Sequence, residues 1–186
     1  MFNKYINDLL FRKVFSFKED EILMMNKVPF VFLPARSMAK FIQKIYYDIG
    51  KEKILDIGYK AGEMVADEFI TAFEWSKSSL PSKMAVIKKM FEVMGHGSID
   101  IQKWDAENNK FLLHITKHPT SEWGTRLFGD KQKICLFYMA IWSAHLHKEL
   151  GIENCWLMET QCISRGAKYC EMSYNYFGKE LALKEL

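Results

Sequence analysis

Apolar residues change their spacing several times along this chain, and each change marks an element. From residue 11 to 33 they come in short bursts. Phe11, Val14, Phe15 and Phe17 lead to a charged turn at 18–21, a second burst covers 22–25, and a third covers 28–33. Short apolar runs separated by polar residues predict a strand meander. Pro29 confines the third run to a sheet edge or a strand start. The spacing then becomes helical. Pro34 opens a helix ending near Gly50, with Met38, Phe41, Ile42 and Ile45 as its predicted core face. A second helix runs from Lys51 to about Trp75, presenting Ile54, Gly58, Ala61, Val65, Phe69 and Ala72. Gly58 and Gly62 weaken it but let another backbone come close, so tight helix packing is expected there.

Residues 78–82, with Pro81, break the pattern. A third helix follows from about Ser82 to Met94, with Met84, Ile87, Met90, Phe91 and Met94 apolar and Gly95-His96-Gly97 closing it. Residues 99–104 and 111–116 flank the polar stretch 105–109 and predict a hairpin. After a loop at 118–124 and a short helical turn comes a fourth helix at 131–149. Cys135, Met139, Trp142, Leu146 and Leu150 share one face, with Phe137, Ile141 and Ala144 beside them. A helix apolar nearly all round belongs in the centre of a fold. Gly151 ends it, 152–159 is a strand, and 169–176 is its partner across Gly166. The tail from Phe177 forms a short helix or frays. No repeat or linker interrupts this order. The expectation is one α+β domain over 1–186, a mostly antiparallel sheet packed with helices.

The 186 residues are enough for a proper core. A hydrophobic fraction of 49% and an aromatic fraction of 15% exclude a disordered chain. The net charge of +3 is small and interspersed, which argues against direct nucleic-acid binding. The first residues lack the basic region and apolar run of a signal peptide. No stretch approaches the roughly 18 consecutive apolar residues of a transmembrane segment. The expected compartment is the reducing cytoplasm, where clustered thiols bind metal or do chemistry more often than cross-link.

The cysteines are Cys135, Cys155, Cys162 and Cys170. Cys162 and Cys170 flank a turn around Arg165-Gly166, so folding that hairpin can bring their sulfurs together. Glu159 lies three positions before Cys162, and a regular strand would point the two to opposite faces. A bulge or a strand end must intervene if both are ligands. Cys135 can join them only through tertiary folding. Thiolate and carboxylate donors suit zinc, usually four in a structural site. The other reading is two small buried cysteines and a solvated glutamate. The spacing of Cys162 and Cys170 is not that of a C-x-x-C redox pair. Cys155 reads as a core or surface thiol.

Gly151 followed by Glu159-x-x-Cys162-x-x-x-Gly166-x-x-x-Cys170, the cysteine-led helix at 135–146, and Pro34, Ala35 and Arg36 through Gly50, Gly58 and Gly62 together carry a resemblance. Over about residues 20–176 the chain resembles the 4-vinyl reductase domain family. That family is related to the zinc-containing aromatic-sensor domains of phenol- and xylene-responsive bacterial regulators. The resemblance implies the α+β ligand-binding fold associated with NO signalling and Golgi transport, shared with a trafficking-complex subunit family. It implies zinc held by Cys135, Glu159, Cys162 and Cys170, a homodimer, and a small hydrophobic or aromatic ligand beside the zinc element. Met172 stands where phenylalanine is more usual, a difference for core packing rather than ligation. The family name comes from a tetrapyrrole pathway and does not establish reductase activity.

A sensor needs an enclosed apolar pocket with a few polar handles. The candidates are His96, Trp104, Phe111, His118, Trp123, Tyr138 and Trp142, with Phe91 beside them; the alternative is that they are simply core. The aromatic-sensor relatives hold a phenolic ligand with a histidine and a tryptophan. Here His118 and Trp123 are the preferred handles and Tyr138 a wall. His145 and His147, two apart on a helix, do not face each other and read as core-edge or solvated. No phosphate loop, serine elbow or kinase signature is present, so no residue pattern assigns an enzyme. The expected function is a zinc-stabilised binding or sensory module for a small hydrophobic or aromatic molecule. Without a DNA-binding or ATPase segment, it would act through a signalling protein partner. Two alternatives are a tetrapyrrole vinyl-reduction enzyme or accessory protein, and a lipid-occupied assembly subunit.

Overall fold

The computed structural model describes residues 15–18, 21–24, 28–29, 31, 33–73, 79–105, 110–152, 155–175 and 179. The N-terminal strands are β1 (Phe15–Lys18), β2 (Glu21–Met24) and β3 (Val28–Pro29). They form an antiparallel meander in the order β1-β2-β3, so Pro29 lies on the edge strand among the described residues, where proline is tolerated. Lys18 pairs with Glu21, so the ends of the predicted turn belong to the strands. Phe11, Val14, Met25 and most of the tail, expected to be strand and short helix, lie outside the described residues.

Helix α1 spans Ala35–Phe73 but is broken at Gly50, whose φ of 81° and ψ of 176° are open to a residue without a Cβ. The two helices expected on either side of residue 50 are therefore present. Helix α2 is Leu80–Val93. Its apolar spacing places Met84, Ile87, Met90 and Phe91 in the core. Strands β4 (Ser98–Asp105) and β5 (Lys110–Thr116) form the expected hairpin, with a bulge between Ile101 and Lys103. Helix α3 (Pro119–Phe128) is longer than the predicted turn and leads through a 3₁₀ turn at Gly129–Lys131 into α4 (Ile134–Leu150).

Strand β6 (Trp156–Gln161) begins four residues later than the apolar run suggested. Gly151 and Ile152 instead cap α4: Gly151 N–H donates to the His147 carbonyl and Ile152 N–H to that of Leu146. Strand β7 (Cys170–Asn175) completes a second antiparallel sheet in the order β4-β5-β7-β6. The two predicted hairpins are thus joined through β5 and β7.

Helix α4 is the centre of the molecule. Residues 134–140 and 142–146 are buried. Along one flank it meets the second half of α1 at glycine contact distance. A Cβ on Gly58 would lie 2.7 Å from the Phe137 carbonyl oxygen, and one on Gly62 would lie 2.6 Å from that of Ile141. This glycine pair selects the buried line of α1 as Leu55, Gly58, Gly62, Ala66 and Phe69. Val65, expected in the core, is 40% exposed, and Phe41 in the first half is 57% exposed. Helical spacing is right in both halves, but the true face is set by the neighbour.

Because the obstacle at Gly62 is backbone, it cannot rotate away. Gly62→Ala is expected to lower stability by about 1–3 kcal/mol from overpacking, against a helix-propensity gain of about 1 kcal/mol. Urea unfolding should show a lower midpoint at unchanged slope.

Candidate functional site

Three elements deliver the cysteines to one point. Cys135 is in the first turn of α4, Cys162 follows the end of β6, and Cys170 opens β7. The β6–β7 register shifts between Glu159 and Gln161. This is the irregularity that a shared site requires: it turns Glu159 and Cys162 to the same side. The Sγ–Sγ distances are 3.5 Å from Cys135 to Cys162, 3.7 Å from Cys135 to Cys170 and 3.9 Å from Cys162 to Cys170. These are far beyond the roughly 2.05 Å of a disulfide, and all four cysteines are free. With one Glu159 carboxylate oxygen, the three sulfurs form a set lying within 4.8 Å of one another that could chelate a metal ion. Cys155 is buried elsewhere and is not in this set.

The surroundings hold the donors in place. The Gln132 amide donates to Cys162 Sγ at 3.4 Å and to Cys135 Sγ at 3.7 Å, while its oxygen accepts from Ile134 N–H at 2.7 Å. Ser164 lies 3.1 Å from Cys162 and Ser121 lies 3.3 Å from Cys135. Arg165 donates to Glu159 Oε2 at 2.9 Å, whereas Glu159 Oε1 is buried without a hydrogen-bond partner. A cleft lined by Gln132, Lys133, Glu159, Ser164 and Arg165 reaches Cys135.

So many acidic groups cannot all ionise side by side in a low-dielectric pocket. Hydrogen bonds from Cys135 and Cys170 hold the Cys162 thiol far below its ordinary range. The bonds Cys135 makes to Cys162 and Cys170, then burial, push Cys135 well up. Cys170 is pulled down by Cys135, but its bond to Cys162, burial and the Cys162 charge raise it overall to about 12. Burial, and next the Cys162 charge, lift Glu159 to about 8. The four groups are thus driven apart in acidity, and a nearby cation would favour the ionised form of each.

The aromatic candidates divide. His118, Tyr138, His96, Phe91, Trp142 and His145 form a continuous series of ring contacts. His118 meets Tyr138 at 4.4 Å, Tyr138 meets His96 at 5.3 Å, and His96 meets Phe91 at 5.4 Å. Phe91 stacks on Trp142 at 3.8 Å and meets His145 edge-on at 5.1 Å. His118 is tied to Ser121, which touches Cys135, so this series begins against the cysteine cluster. Trp123 is placed elsewhere, with the Arg36 and Arg126 guanidiniums 5.5 and 5.2 Å from its ring. Phe111 is buried on β5. The backbone of Trp104 pairs with Phe111, and its side chain lies outside the described residues.

Two features escape a reading of the residues. One is Gln132, a polar residue three positions before Cys135. The other is His145, which is buried rather than core-edge, with Nδ1 2.6 Å from Glu149 Oε1. The four-residue spacing of His145 and Glu149 on an apolar helix was the available signal. His147 bonds to the Tyr59 hydroxyl at 2.7 Å.

No protein-family model and no curated protein sequence matches this chain. Solved structures do. The phenol-responsive sensory domain of the transcription activator PoxR, with phenol, aligns over 97% of this chain and 94% of its own at 10% identity and a TM-score of 0.72. A vinyl-4-reductase family protein from Methanocaldococcus jannaschii aligns over 78% and 83% at 17% identity and a TM-score of 0.50. A trafficking protein particle complex subunit 3 from Naegleria fowleri, covalently bound to palmitic acid, aligns over 76% and 91% at 13% identity and a TM-score of 0.53. At these identities the likeness establishes the fold: the α+β arrangement of antiparallel sheets and helices common to these proteins. No helix among the described residues is long and apolar enough to cross a membrane.

Burial first, and then a neighbouring histidine, lower His96 from 6.5 to about 4 and His118 from 6.5 to about 3. Between those values and 6.5 the unfolded chain binds protons that the folded chain refuses, so stability rises with pH in that window. It is full above about 6.5 and falls as the pH drops through the folded values. Measured against His96→Phe, the urea midpoint of the unaltered protein should fall further between pH 7 and 4, by one proton's share.

Proposed function

We propose that this protein is a zinc-stabilised binding or sensory module for a small hydrophobic or aromatic molecule. The single observation carrying the zinc assignment is the spacing of the donors. A zinc–sulfur bond of about 2.3 Å in a tetrahedral site separates sulfurs by roughly 3.8 Å, and the three observed separations run from 3.5 to 3.9 Å. The unpartnered Glu159 oxygen fits as the fourth donor. Cys135, Glu159, Cys162 and Cys170 would hold the ion and Gln132 would steady two of its thiolates. Bound zinc would supply the positive charge that this donor set lacks. Four protein donors fill a tetrahedral shell, so its role is to fasten the β6–β7 hairpin to α4 rather than to activate substrate.

The ligand half of the reading rests on the ring series beside the cluster. It is supported by the fold shared with a sensory domain crystallised with phenol. His96, His118, Tyr138 and Trp142 would line the pocket, with Phe111 on the sheet side. Output would pass through a homodimer or a protein partner. A lipid-occupied subunit is the second reading, favoured by the fold shared with a palmitate-bound protein.

Metal analysis of the purified protein should find one zinc per chain. Chelation should raise amide exchange across 134–138 and 156–175 while the contact of α1 with the middle of α4 stays protected. Absence of zinc together with unchanged stability on chelation would overturn the assignment. Gln132→Ala should keep the stoichiometry but weaken zinc about 10–100-fold in competition with a chromophoric chelator.

Native mass spectrometry separates the ligand readings. A protein that copurifies empty and takes up phenol supports the sensor. Retained fatty acid supports the lipid-occupied subunit, and a bound tetrapyrrole would point to pigment chemistry.

A further inference from the structure

The thiols of the cluster are steered by uncharged neighbours. Gln132 reaches Cys135 and Cys162, Ser121 reaches Cys135, and Ser164 reaches Cys162. The carboxylate is steered by a cation. Arg165 Nη2 donates to Glu159 Oε2 at 2.9 Å, while Oε1 is buried with no hydrogen-bond partner among the described residues. One oxygen is taken by a guanidinium and the other is left for the sulfurs. Local structure explains why Arg165 is at hand. It lies in the 3₁₀ turn Ile163–Arg165 directly after Cys162, and its own N–H donates to the Cys162 carbonyl at 3.0 Å. Gly166, with φ 87°, then turns the chain back towards Cys170. Arg165 is therefore fixed at its backbone by one donor residue and grips a second with its side chain. Its side chain is 49% exposed and that of Glu159 is 7% exposed, so the pair closes the cluster at its solvent edge. Both residues line the cleft that reaches Cys135, whose volume of about 20 Å³ has room for about one water.

We propose that Arg165 is a positioning residue for the metal ion: by holding Oε2 it commits Glu159 to bind through Oε1 alone, and so keeps the ion four-coordinate and closed to outside ligands. This rests on the reading of the cluster as a zinc site and names the residue that decides how the site is completed. A carboxylate free at both oxygens can bind a metal through one or through both. It can also swing aside and leave a position to water. Zinc accepts either outcome, since it has no electronic preference for a geometry and expands to five ligands. The protein must therefore impose the choice, and it does so through the outer hydrogen bond of the ligating carboxylate. With Arg165 in place, turning or withdrawing the Glu159 carboxylate breaks a charge-assisted bond. Without it, the second oxygen or a water from the cleft can reach the ion. The guanidinium also opposes the excess negative charge that three thiolates and a carboxylate carry around one divalent ion. A half-exposed ion pair contributes little to stability by itself. The loss of Arg165 thus falls on the metal rather than on the fold.

Cobalt(II) loaded in place of zinc tests this, because its visible ligand-field bands are strong in a four-coordinate site and weaken when a fifth ligand enters. In the unaltered protein the bands should be strong and unmoved by azide. In Arg165→Met they should weaken and respond to azide, and competition with a chromophoric chelator should show zinc held about 10–100-fold less tightly. Arg165→Lys restores a cation for the single bond that Nη2 makes, and should behave as the unaltered protein does. Gln132→Ala, which removes an amide from two thiols, should keep azide-insensitive bands; a response there as well overturns the role given to Arg165. Strong, azide-insensitive bands in Arg165→Met overturn it too, as does azide binding to the unaltered protein. Failure of the unaltered protein to take up zinc or cobalt overturns the metal reading and this proposal with it. One measurement needs no variant. X-ray absorption of the zinc-loaded protein should fit three sulfurs at about 2.3 Å and one oxygen at about 2.0–2.2 Å, and a second oxygen in that shell overturns the proposal while leaving the zinc site standing.

Discussion

Helix α4 is buried on nearly every side, and the rest of the structure answers to that constraint. A helix with Ile134 to Ala140 and Trp142 to Leu146 enclosed must be covered by elements on all flanks. The second half of α1 covers one flank by giving up side chains at Gly58 and Gly62. Strand β6 covers another, where Leu157 N–H donates at 2.9 Å to Ser143 Oγ on the helix. Such a helix can carry polar groups only if each is paired or has a use. Ser143 is paired twice, since its hydroxyl also donates to the Met139 carbonyl. Cys135 sits in the thiol cluster. Among the described residues the side chains of His145 and Glu149 hydrogen-bond only each other, which makes them the exception on this helix.

The thiol cluster depends on the same helix at its other end. Its order is built outward from Cys135 through a relay of amides. Gln43 on α1 accepts from Lys133 N–H at 2.8 Å and donates to the Lys131 carbonyl at 3.3 Å. That fixes the loop carrying Gln132, whose amide reaches two of the sulfurs. The cluster is therefore a junction of α1, α4 and the β6–β7 hairpin. Removing any one arm would leave buried thiols or a buried carboxylate without partners, and that penalty ties the arms together.

Much of this was legible from local pattern. The break at Gly50, both hairpins, the turn at Gly166 and the central position of α4 each follow from spacing over a few residues. A bulge or a strand end was required as soon as Glu159 and Cys162 were assigned to one site, and both occur: the register shifts after Glu159, and the strand ends at Gln161. What was not legible depends on partners distant in sequence. Phe41 and Val65 sit at correct helical intervals yet face outward, since the line that touches α4 is decided by where two glycines let it approach. The pairing of β5 with β7 joins segments separated by α3 and α4. Gln132 looks like any loop amide until Cys162 arrives beside it. His145 was compared with His147, a spacing that brings nothing together, when Glu149 one turn on was the residue in reach.

The positions of the two polar clusters along α4 bear on how the molecule can respond to a ligand. One occupies the first turn, the other the last two, and the ring series from His118 to His145 runs between them. Interiors packed at this density do not deform smoothly; they shift between discrete arrangements. A ring displaced near Trp142 has Phe91, His96 and Tyr138 as its successive neighbours. Tyr138 bonds Thr120 on α3 at 3.2 Å, one residue before the serine that touches Cys135. A cluster that is firmly closed makes this end of α4 a fixed point. Helix α3 shares that fixed point through Ser121, so movement started at the other end would fall on α2, whose Phe91 stacks on Trp142, and α2 is the element whose position the proposed ligand would change.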